Sequence, residues 1–155
     1  MATSSTQTIK LDVSEGVSVT AKIDAPEQMT PSTPGLLLAH GANNDLDYPL
    51  LVSVATALAR EAAVLVLRFN FPYAERGATS RDARPVLEQT FRSAYDTLVR
   101  DLLSPSALVF VGGKSLGGRF AAEFVSGAVE DDPLPASGLV VLGYPLHAPG
   151  RQDKP

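Results

Sequence analysis

Apolar and polar residues alternate in two short stretches near the start of the chain. Residues 8–13 form the first stretch and residues 17–23 the second, with a turn sequence at 14–16 between them. A period of two is the pattern of a strand that buries one face. We therefore expect an antiparallel hairpin at the edge of a sheet, followed by a proline-rich loop over residues 26–34.

Later in the chain the pattern changes to short apolar runs separated by helical periodicity. Wholly apolar runs are typical of parallel strands that are covered on both faces. The runs predict strands at Gly35–Ala39, Ala63–Leu67, Ala107–Val111 and Gly138–Tyr144. Apolar residues at helical spacing predict helices from Pro49 to about Glu61, from Pro85 to Leu102 and from Leu116 to Val129.

The order of these elements is β-β-β-α-β-α-β-α-β. Such alternation indicates an α/β fold with a mostly parallel sheet and helices on both faces. We expect one domain over residues 1–155, in which residues 1–34 form the edge hairpin and the proline-rich loop. Ligands of such sheets bind at the carboxyl ends of the strands, and three unusual turns fall there: His40-Gly41, Arg68–Gly77 and Lys114-Ser115.

The last of these turns carries the most specific chemical signal. Gly113-Lys-Ser-Leu-Gly117 fits the G-x-S-x-G pattern of a nucleophile elbow, a sharp strand-to-helix turn that exposes a serine hydroxyl. Glycine at 113 and 117 removes side chains that would clash across the turn. A phosphate-binding loop would need glycine where Leu108 stands, and a dinucleotide fingerprint would need it where Ser115 stands. A plain strand-to-helix turn with an N-cap serine remains the alternative.

Composition narrows the class of protein further. The chain has 155 residues, a formal net charge of −4, no cysteine and two histidines. The acidic balance and the lack of a basic run argue against nucleic acid as a partner. We expect no thiolate or histidine metal site, no cofactor, no membrane span and a cytoplasmic location.

Four blocks of sequence resemble one family of proteins. They are His40-Gly-Ala-Asn-Asn-Asp45, Arg68-Phe-Asn-Phe-Pro-Tyr73, Gly112-Gly-Lys-Ser-Leu-Gly-Gly-Arg119 and Gly143-Tyr-Pro-Leu-His-Ala-Pro-Gly150. The chain resembles the α/β-hydrolase-like proteins typified by testis-expressed protein and the NSL-complex regulatory subunit, near relatives of dienelactone hydrolases. The resemblance implies an alpha/beta-hydrolase fold with strand order 1-2-4-3-5-6. It also implies that Ser115 is the nucleophile and that the N–H groups of Ala42 and Leu116 bind an oxyanion.

The sequence departs from that family in one respect. The catalytic triad of this fold runs Ser, then Asp or Glu, then His along the chain. The acid and the histidine follow strands 7 and 8, and the sequence stops before either strand. We therefore expect an incomplete triad, in a chain that looks like the N-terminal part of a longer hydrolase.

Other residues near the three turns are candidates for supporting roles. His40 has the family role of shaping the oxyanion turn, and His147 is either a substitute base for Ser115 or a loop histidine with local hydrogen bonds. Lys114 either favours an anionic substrate or is a solvated charge. Arg68, Asn70 and Tyr73 are candidates to line the cleft. In the alternative, Asn70 and Pro72 simply turn the chain. The run 43–45 either contacts substrate or caps the first helix.

Three functions of different class follow from these observations. The first is a serine hydrolase acting on a small-molecule ester, thioester or lactone, with weak or no turnover by this chain alone. The second is a non-catalytic α/β-hydrolase scaffold or interaction domain. The third is a complete minimal domain, which the apolar strand 139–142 argues against, because its unpaired edge predicts self-association.

Overall fold

The computed structural model describes residues 2–129, 133–144 and 146. The strands are β1 (Ser4–Ser14), β2 (Val17–Pro26), β3 (Gly35–Ala39), β4 (Leu65–Phe69), β5 (Val109–Lys114) and β6 (Gly138–Leu142). The helices are α1 (Pro49–Glu61), α2 (Pro72–Glu75), α3 (Arg84–Asp96), which continues as a π-helical stretch over Thr97–Leu102, and α4 (Leu116–Ser126).

The six strands form one sheet in the order β1-β2-β4-β3-β5-β6. β1 pairs antiparallel with β2, and β2 pairs antiparallel with β4. β4, β3, β5 and β6 run parallel to one another. The predicted edge hairpin, the mostly parallel sheet and the strand order that the resemblance implied are thus confirmed.

Apolar side chains from the central strands pack on both faces of the sheet. On one face, Leu36, Leu38 and Val66 pack with residues of α1. On the other face, Leu37 and Val111 belong to a larger cluster that includes residues of α3 and α4. Each large apolar side chain that is fully buried in this way contributes roughly 1.5–3 kcal/mol. The continuous apolar runs of the sequence reflect this double coverage.

Several boundaries differ from the sequence-based expectation, and backbone geometry explains two of them. β4 begins at Leu65 instead of Ala63, because Ala63 takes a left-handed φ of 53° as the chain turns back from α1. α4 ends at Ser126, where Gly127 follows with a φ of 75° and forms a left-handed cap. β1 begins at Ser4 instead of Thr8, because it pairs along the whole of β2 to Pro26.

β6 lies at one edge of the sheet. Leu139 and Val141 are 41% and 37% exposed there. Self-association through this edge stays a prediction. Among the described residues, no helix combines the length and the apolar character needed to cross a membrane.

Candidate functional site

The turn between β5 and α4 holds Ser115 in an unusual backbone conformation. Ser115 has φ 51° and ψ −112° and stands at the N-cap position of α4. Left-handed φ values are uncommon for a residue with a side chain and cost of order 1–3 kcal/mol. The half-buried serine therefore occupies a strained strand-to-helix turn, which is the geometry that a nucleophile elbow requires.

The glycines on both sides of the serine are required by close backbone contacts. A Cβ on Gly113 would lie 2.5 Å from the carbonyl oxygen of Ala39, and a Cβ on Gly117 would lie 2.4 Å from the same atom. No side chain fits at these distances. The end of β5 and the start of α4 therefore pack directly on the end of β3.

The backbone N–H of Ser115 is itself occupied. It donates to the carbonyl oxygens of Leu142 (3.2 Å), the last residue of the neighbouring strand β6, and of Gly143 (2.9 Å), which follows it. The N–H of Arg119 donates to the carbonyl of Ser115 (3.0 Å), which is the first bond of α4. By helix geometry the N–H of Leu116, one turn earlier, has no acceptor within the helix. Of the N–H groups of Ser115 and Leu116, only that of Leu116 is therefore left to face a ligand.

The turn after β3, residues 40–46, lies directly beside this elbow; we refer to it as the β3 turn. Ala39 pairs with Gly113 in the sheet, and Gly117 packs against the carbonyl of His40. Ala42 and Leu116 thus stand on turns of adjacent strands. Their role as oxyanion donors stays a prediction.

His40 is fully buried in the β3 turn, and both of its ring nitrogens have partners. Nε2 accepts the N–H of Phe71 (3.1 Å), so Nδ1 carries the hydrogen and donates to the carbonyl of Gly41 (2.7 Å). Burial lowers the pKa of His40, against the smaller raising effects of that hydrogen bond and of Asp45. His40 is therefore a neutral structural residue, which agrees with the turn-shaping role expected for it, and is not available as a base.

Tyr73 approaches the same turn from the start of α2. Its hydroxyl donates to the carbonyl of Ala42 (2.8 Å) and lies 3.3 Å from that of Gly41. Burial raises the pKa of Tyr73 to about 12. Tyr73 also lines a cleft of about 410 Å³, together with Ala42, Tyr48 and the run 43–45. The expectation that Tyr73 lines a cleft agrees with this position.

Arg68 does not line the cleft. Its guanidinium is 2% exposed and donates to Asp24 (2.8 Å), which is buried to the same degree. It also donates to the carbonyl of Leu46 (2.6 Å) at the end of the β3 turn. The guanidinium that the sequence suggested for the cleft therefore makes its contacts inside the protein.

Asn70 also holds Leu46, through the backbone N–H of that residue. Its Oδ1 accepts the N–H of Leu46 (2.9 Å), and its Nδ2 donates to Glu75 (2.8 Å). Asn70 is likewise buried, and it does not line the 410 Å³ cleft. Of the two alternatives for Asn70, the geometry therefore favours the one that turns the chain.

Glu75 is a residue that the sequence reasoning missed. It accepts hydrogen bonds from Asn70, from the N–H (3.0 Å) and hydroxyl (2.7 Å) of Thr20, and from Lys10 (3.2 Å). Partial burial acts to raise its pKa, but these hydrogen bonds outweigh burial and lower the pKa to about 2. Glu75 thereby joins the short helix α2 to the edge hairpin. The sequence predicted α2 as irregular chain. The position of Glu75 three residues after Pro72 was therefore the only sequence signal for its role.

Lys114 precedes the serine and turns toward the β3 turn. Its Nζ lies 4.9 Å from the centre of the Tyr48 ring, within the range of a cation–π contact. A Cβ on Gly41 would lie 3.6 Å from the same Nζ. The lysine therefore covers the β3 turn instead of extending freely into solvent.

The run 43–45 does not cap α1. The N-cap residue is Tyr48, and no side chain caps the helix there. Asp45 instead accepts the N–H of Asp47 (2.8 Å) and forms a local turn. The cleft in front of α1 is lined by this run, so the alternative in which it contacts a ligand remains open.

His147 lies outside the described residues, so its role as a base or as a loop residue stays a prediction. In the part of the chain that the structure describes, no group of three His, Cys, Asp or Glu side chains could hold a metal ion.

Several solved structures are similar to this chain in fold. Brefeldin A esterase, a bacterial homologue of human hormone-sensitive lipase, aligns with a TM-score of 0.63 and 22% identity over 83% of this chain and 37% of its own. Dienelactone hydrolase from Anabaena variabilis aligns with 0.62 and 23% over 81% of this chain and 57% of its own. A bacterial heroin esterase aligns with 0.62 and 19% over 84% and 42%.

At these identities the likeness shows the fold alone, and the chain spans between 37% and 57% of the length of these three proteins. A family model described as an alpha/beta hydrolase domain matches residues 32–155.

Proposed function

The chain belongs to the alpha/beta hydrolase family, and we propose that Ser115 is the nucleophile of a serine hydrolase acting on small-molecule esters, thioesters or lactones. The observation that carries this proposal is the backbone of Ser115, held at φ 51° on the turn from β5 into α4. A strained serine whose hydroxyl is lifted from the backbone suits attack on a carbonyl carbon.

The proposed reaction is acyl transfer through a covalent intermediate. The Oγ of Ser115 forms a bond to the carbonyl carbon, and the carbonyl electron pair moves to the oxygen. The N–H groups of Ala42 and Leu116 stabilise that oxyanion, the second with the help of the α4 dipole. When the intermediate collapses, the bond to the leaving alcohol or thiol breaks and the leaving group takes the serine proton. Water then hydrolyses the acyl-serine by the same steps.

Proton transfer in this scheme needs a base that the described residues do not supply. A serine hydroxyl is a weak nucleophile at neutral pH unless a base accepts its proton. His40 is the histidine among residues 2–129, 133–144 and 146, and both of its nitrogens are occupied. We therefore assign the base to a histidine outside the described residues.

Two clefts flank the proposed oxyanion donors and provide room for a substrate. Ala42 lines the cleft of about 410 Å³, and Leu116 lines a second cleft of about 260 Å³ with Phe120, Leu87 and Arg84. Because Ala42 and Leu116 lie on neighbouring turns, we expect the two parts of an ester bound at Ser115 to extend toward these two clefts. The second cleft combines the apolar side chains of Leu87, Leu116 and Phe120 with charged ones, those of Arg81, Asp82, Arg84, Arg119 and Glu123.

We further propose that the chain belongs with the testis-expressed protein and NSL-complex subunit branch of the family. The four sequence blocks around residues 40, 68, 112 and 143 support this placement. The proposal concerns ancestry, and the chemistry proposed for Ser115 does not depend on it.

Covalent labelling of the full-length protein with a fluorophosphonate probe tests the function. We expect the wild-type protein to be labelled at Ser115, and Ser115→Ala to lose labelling and lower ester hydrolysis on the order of a thousandfold or more. Ser126→Ala is the matched control, because Ser126 is an exposed serine at the far end of α4 whose hydroxyl donates to the carbonyl of Glu123. A wild-type protein that resists the probe, or a Ser115→Ala variant that still reacts, would overturn the proposal.

A further inference from the structure

The peptide between Gly41 and Ala42 decides where the Ala42 N–H points. In a planar trans peptide the carbonyl oxygen and the amide hydrogen point in opposite directions. The carbonyl of Gly41 points inward, because buried His40 donates to it. The N–H of Ala42 therefore points away from the core. The contacts of the Gly41 carbonyl therefore fix the direction of this N–H, and those of the Ala42 carbonyl fix the next peptide plane.

Tyr73 contacts both of those carbonyls with one hydroxyl. The hydroxyl lies 2.8 Å from the carbonyl oxygen of Ala42 and 3.3 Å from that of Gly41, so it addresses the peptide planes on both sides of Ala42. The first of these planes is also held by His40 and by the N–H of Asn44, which donates to the carbonyl of Gly41 (3.3 Å), and the second would otherwise rotate about the dihedral angles of Ala42. A single donor held between their oxygens restricts that rotation.

The Tyr73 ring is itself held firmly in place. It is 1% exposed, stacks on Phe71 at 6.3 Å and 7°, and meets His40 edge to face at 5.8 Å. Its backbone N–H donates to Asp82 (2.7 Å), and Pro72 begins the helix on which it stands. A hydroxyl on so rigid a ring acts as a fixed point for the β3 turn and does not adjust to it.

We propose that Tyr73 is a positioning residue whose hydroxyl orients the Ala42 peptide planes and so aims the Ala42 N–H at the oxyanion. This inference rests on the proposed function of Ser115. Tyr73 touches no reacting atom in this scheme and acts through the backbone of Ala42. Because burial raises the pKa of Tyr73 to about 12, the phenol remains a donor across the working pH range of an esterase.

Removing the hydroxyl alone tests the proposal. Tyr73→Phe keeps the packed ring, so we expect kcat for a small ester to fall roughly tenfold or more while KM changes less than about twofold. The affinity of a boronic acid, which mimics the tetrahedral intermediate, should fall with kcat, and that of the product carboxylic acid should not. Tyr95→Phe is the matched control, since the Tyr95 hydroxyl also donates to a backbone carbonyl, that of Pro135, away from the elbow.

The outcomes separate this inference from the function it rests on. If the wild-type protein is labelled at Ser115 but Tyr73→Phe keeps wild-type kcat and boronate affinity, the positioning role is wrong and the proposed function stands. If kcat and KM change equally in the Tyr73 and Tyr95 variants, the hydroxyl is only structural and the inference is also overturned. If the wild-type protein is not labelled, the proposed function itself fails.

A second variant decides the question if Tyr73→Phe does not fold. Trifluorotyrosine at position 73 keeps the shape and the hydroxyl but lowers the phenol pKa, so the donor is lost at a lower pH. We expect kcat to acquire a descending limb at alkaline pH that the wild-type protein lacks. An unchanged pH profile would overturn the inference.

Discussion

The β3 turn and the elbow after β5 stand side by side, yet they are held by opposite means. Side chains from β4 and the chain after it hold the β3 turn: Arg68 and Asn70 bind Leu46, and Tyr73 binds Ala42. The elbow is held by its backbone, because glycines pack against Ala39 and the N–H of Ser115 bonds the end of β6. One turn depends on polar side chains, and the other depends on the absence of side chains.

This difference agrees with what each turn would have to present in the proposed reaction. The elbow must lift one side chain, which a tight, strained backbone does at the cost of excluding its neighbours. The β3 turn must aim a backbone N–H, and a longer loop has too many free dihedral angles to do so without outside contacts. On the proposed function, side chains thus orient the backbone donor of Ala42, and the backbone positions the side chain of Ser115.

Glycine substitutions should separate the two turns most strongly. Gly117→Ala places a Cβ 2.4 Å from the carbonyl oxygen of Ala39, and we expect it to lower the free energy of unfolding by at least about 3 kcal/mol. Gly41→Ala meets the movable side chain of Asn44 at 2.8 Å and the carbonyl oxygen of Lys114 only at 3.4 Å, so its cost should stay below about 1 kcal/mol. Urea unfolding of both variants measures the contrast. Equal losses in the two turns would contradict the comparison.

Removal of the Arg68 side chain should disturb the β3 turn next most strongly. Arg68→Leu leaves Asp24 buried without its cation, and we expect it to lower the free energy of unfolding by about 3 kcal/mol. Amide exchange at Asp47 should also become faster, because Arg68 no longer fixes the peptide between Leu46 and Asp47. The double variant Arg68→Leu/Asp24→Leu should recover part of the stability. A single variant as stable as the double variant would rule out this account.

Glu75 predicts a smaller effect that depends on pH. Its folded pKa of about 2 lies below its ordinary 4.5, so the charged form stabilises the fold above pH 4.5, and this contribution is lost as the pH falls toward 2. Glu75→Gln should therefore lower the free energy of unfolding by about 1–2 kcal/mol near pH 7. The difference from wild type should shrink below pH 4.5.

Unfolding by urea at several pH values checks this window. Exposed Glu61, which pairs with its neighbour Arg60, is the matched control, and Glu61→Gln should change stability by less than about 0.5 kcal/mol. A difference between Glu75→Gln and wild type that stays constant from pH 7 to pH 3 would show that the carboxylate charge does not matter.

The sequence predicted the parts of the site that depend on local pattern. Gly113 and Gly117 mark the elbow through the local G-x-S-x-G pattern, although the nearest contact that requires each of them is with the carbonyl of Ala39 on β3. The same is true of the apolar strands, whose burial follows from their neighbours in the sheet. The suggestion that Arg68 lines the cleft was wrong. Its partner Asp24 lies 44 residues away, so no local sequence pattern indicates the ion pair.

Helix α2 and Glu75 were missed for the same reason. Four residues are too few to show helical periodicity, and the partners Thr20 and Lys10 lie 55 and 65 residues before Glu75. The capping role expected for the run 43–45 failed because the helix begins three residues later, after Tyr48. The roles of such polar residues can be recognised only when the tertiary fold brings their partners together.

The amide of Ser115 is tethered to the outermost strand of the sheet. It bonds the carbonyls of Leu142 and Gly143, and beyond β6 the described chain offers no further strand. Fraying at this border would reach Ser115 through these hydrogen bonds, whereas β5 lies between β6 and the strand that carries the turn of Ala42. Under the proposed function, the nucleophile would then lose order before the Ala42 oxyanion donor as the border loosens.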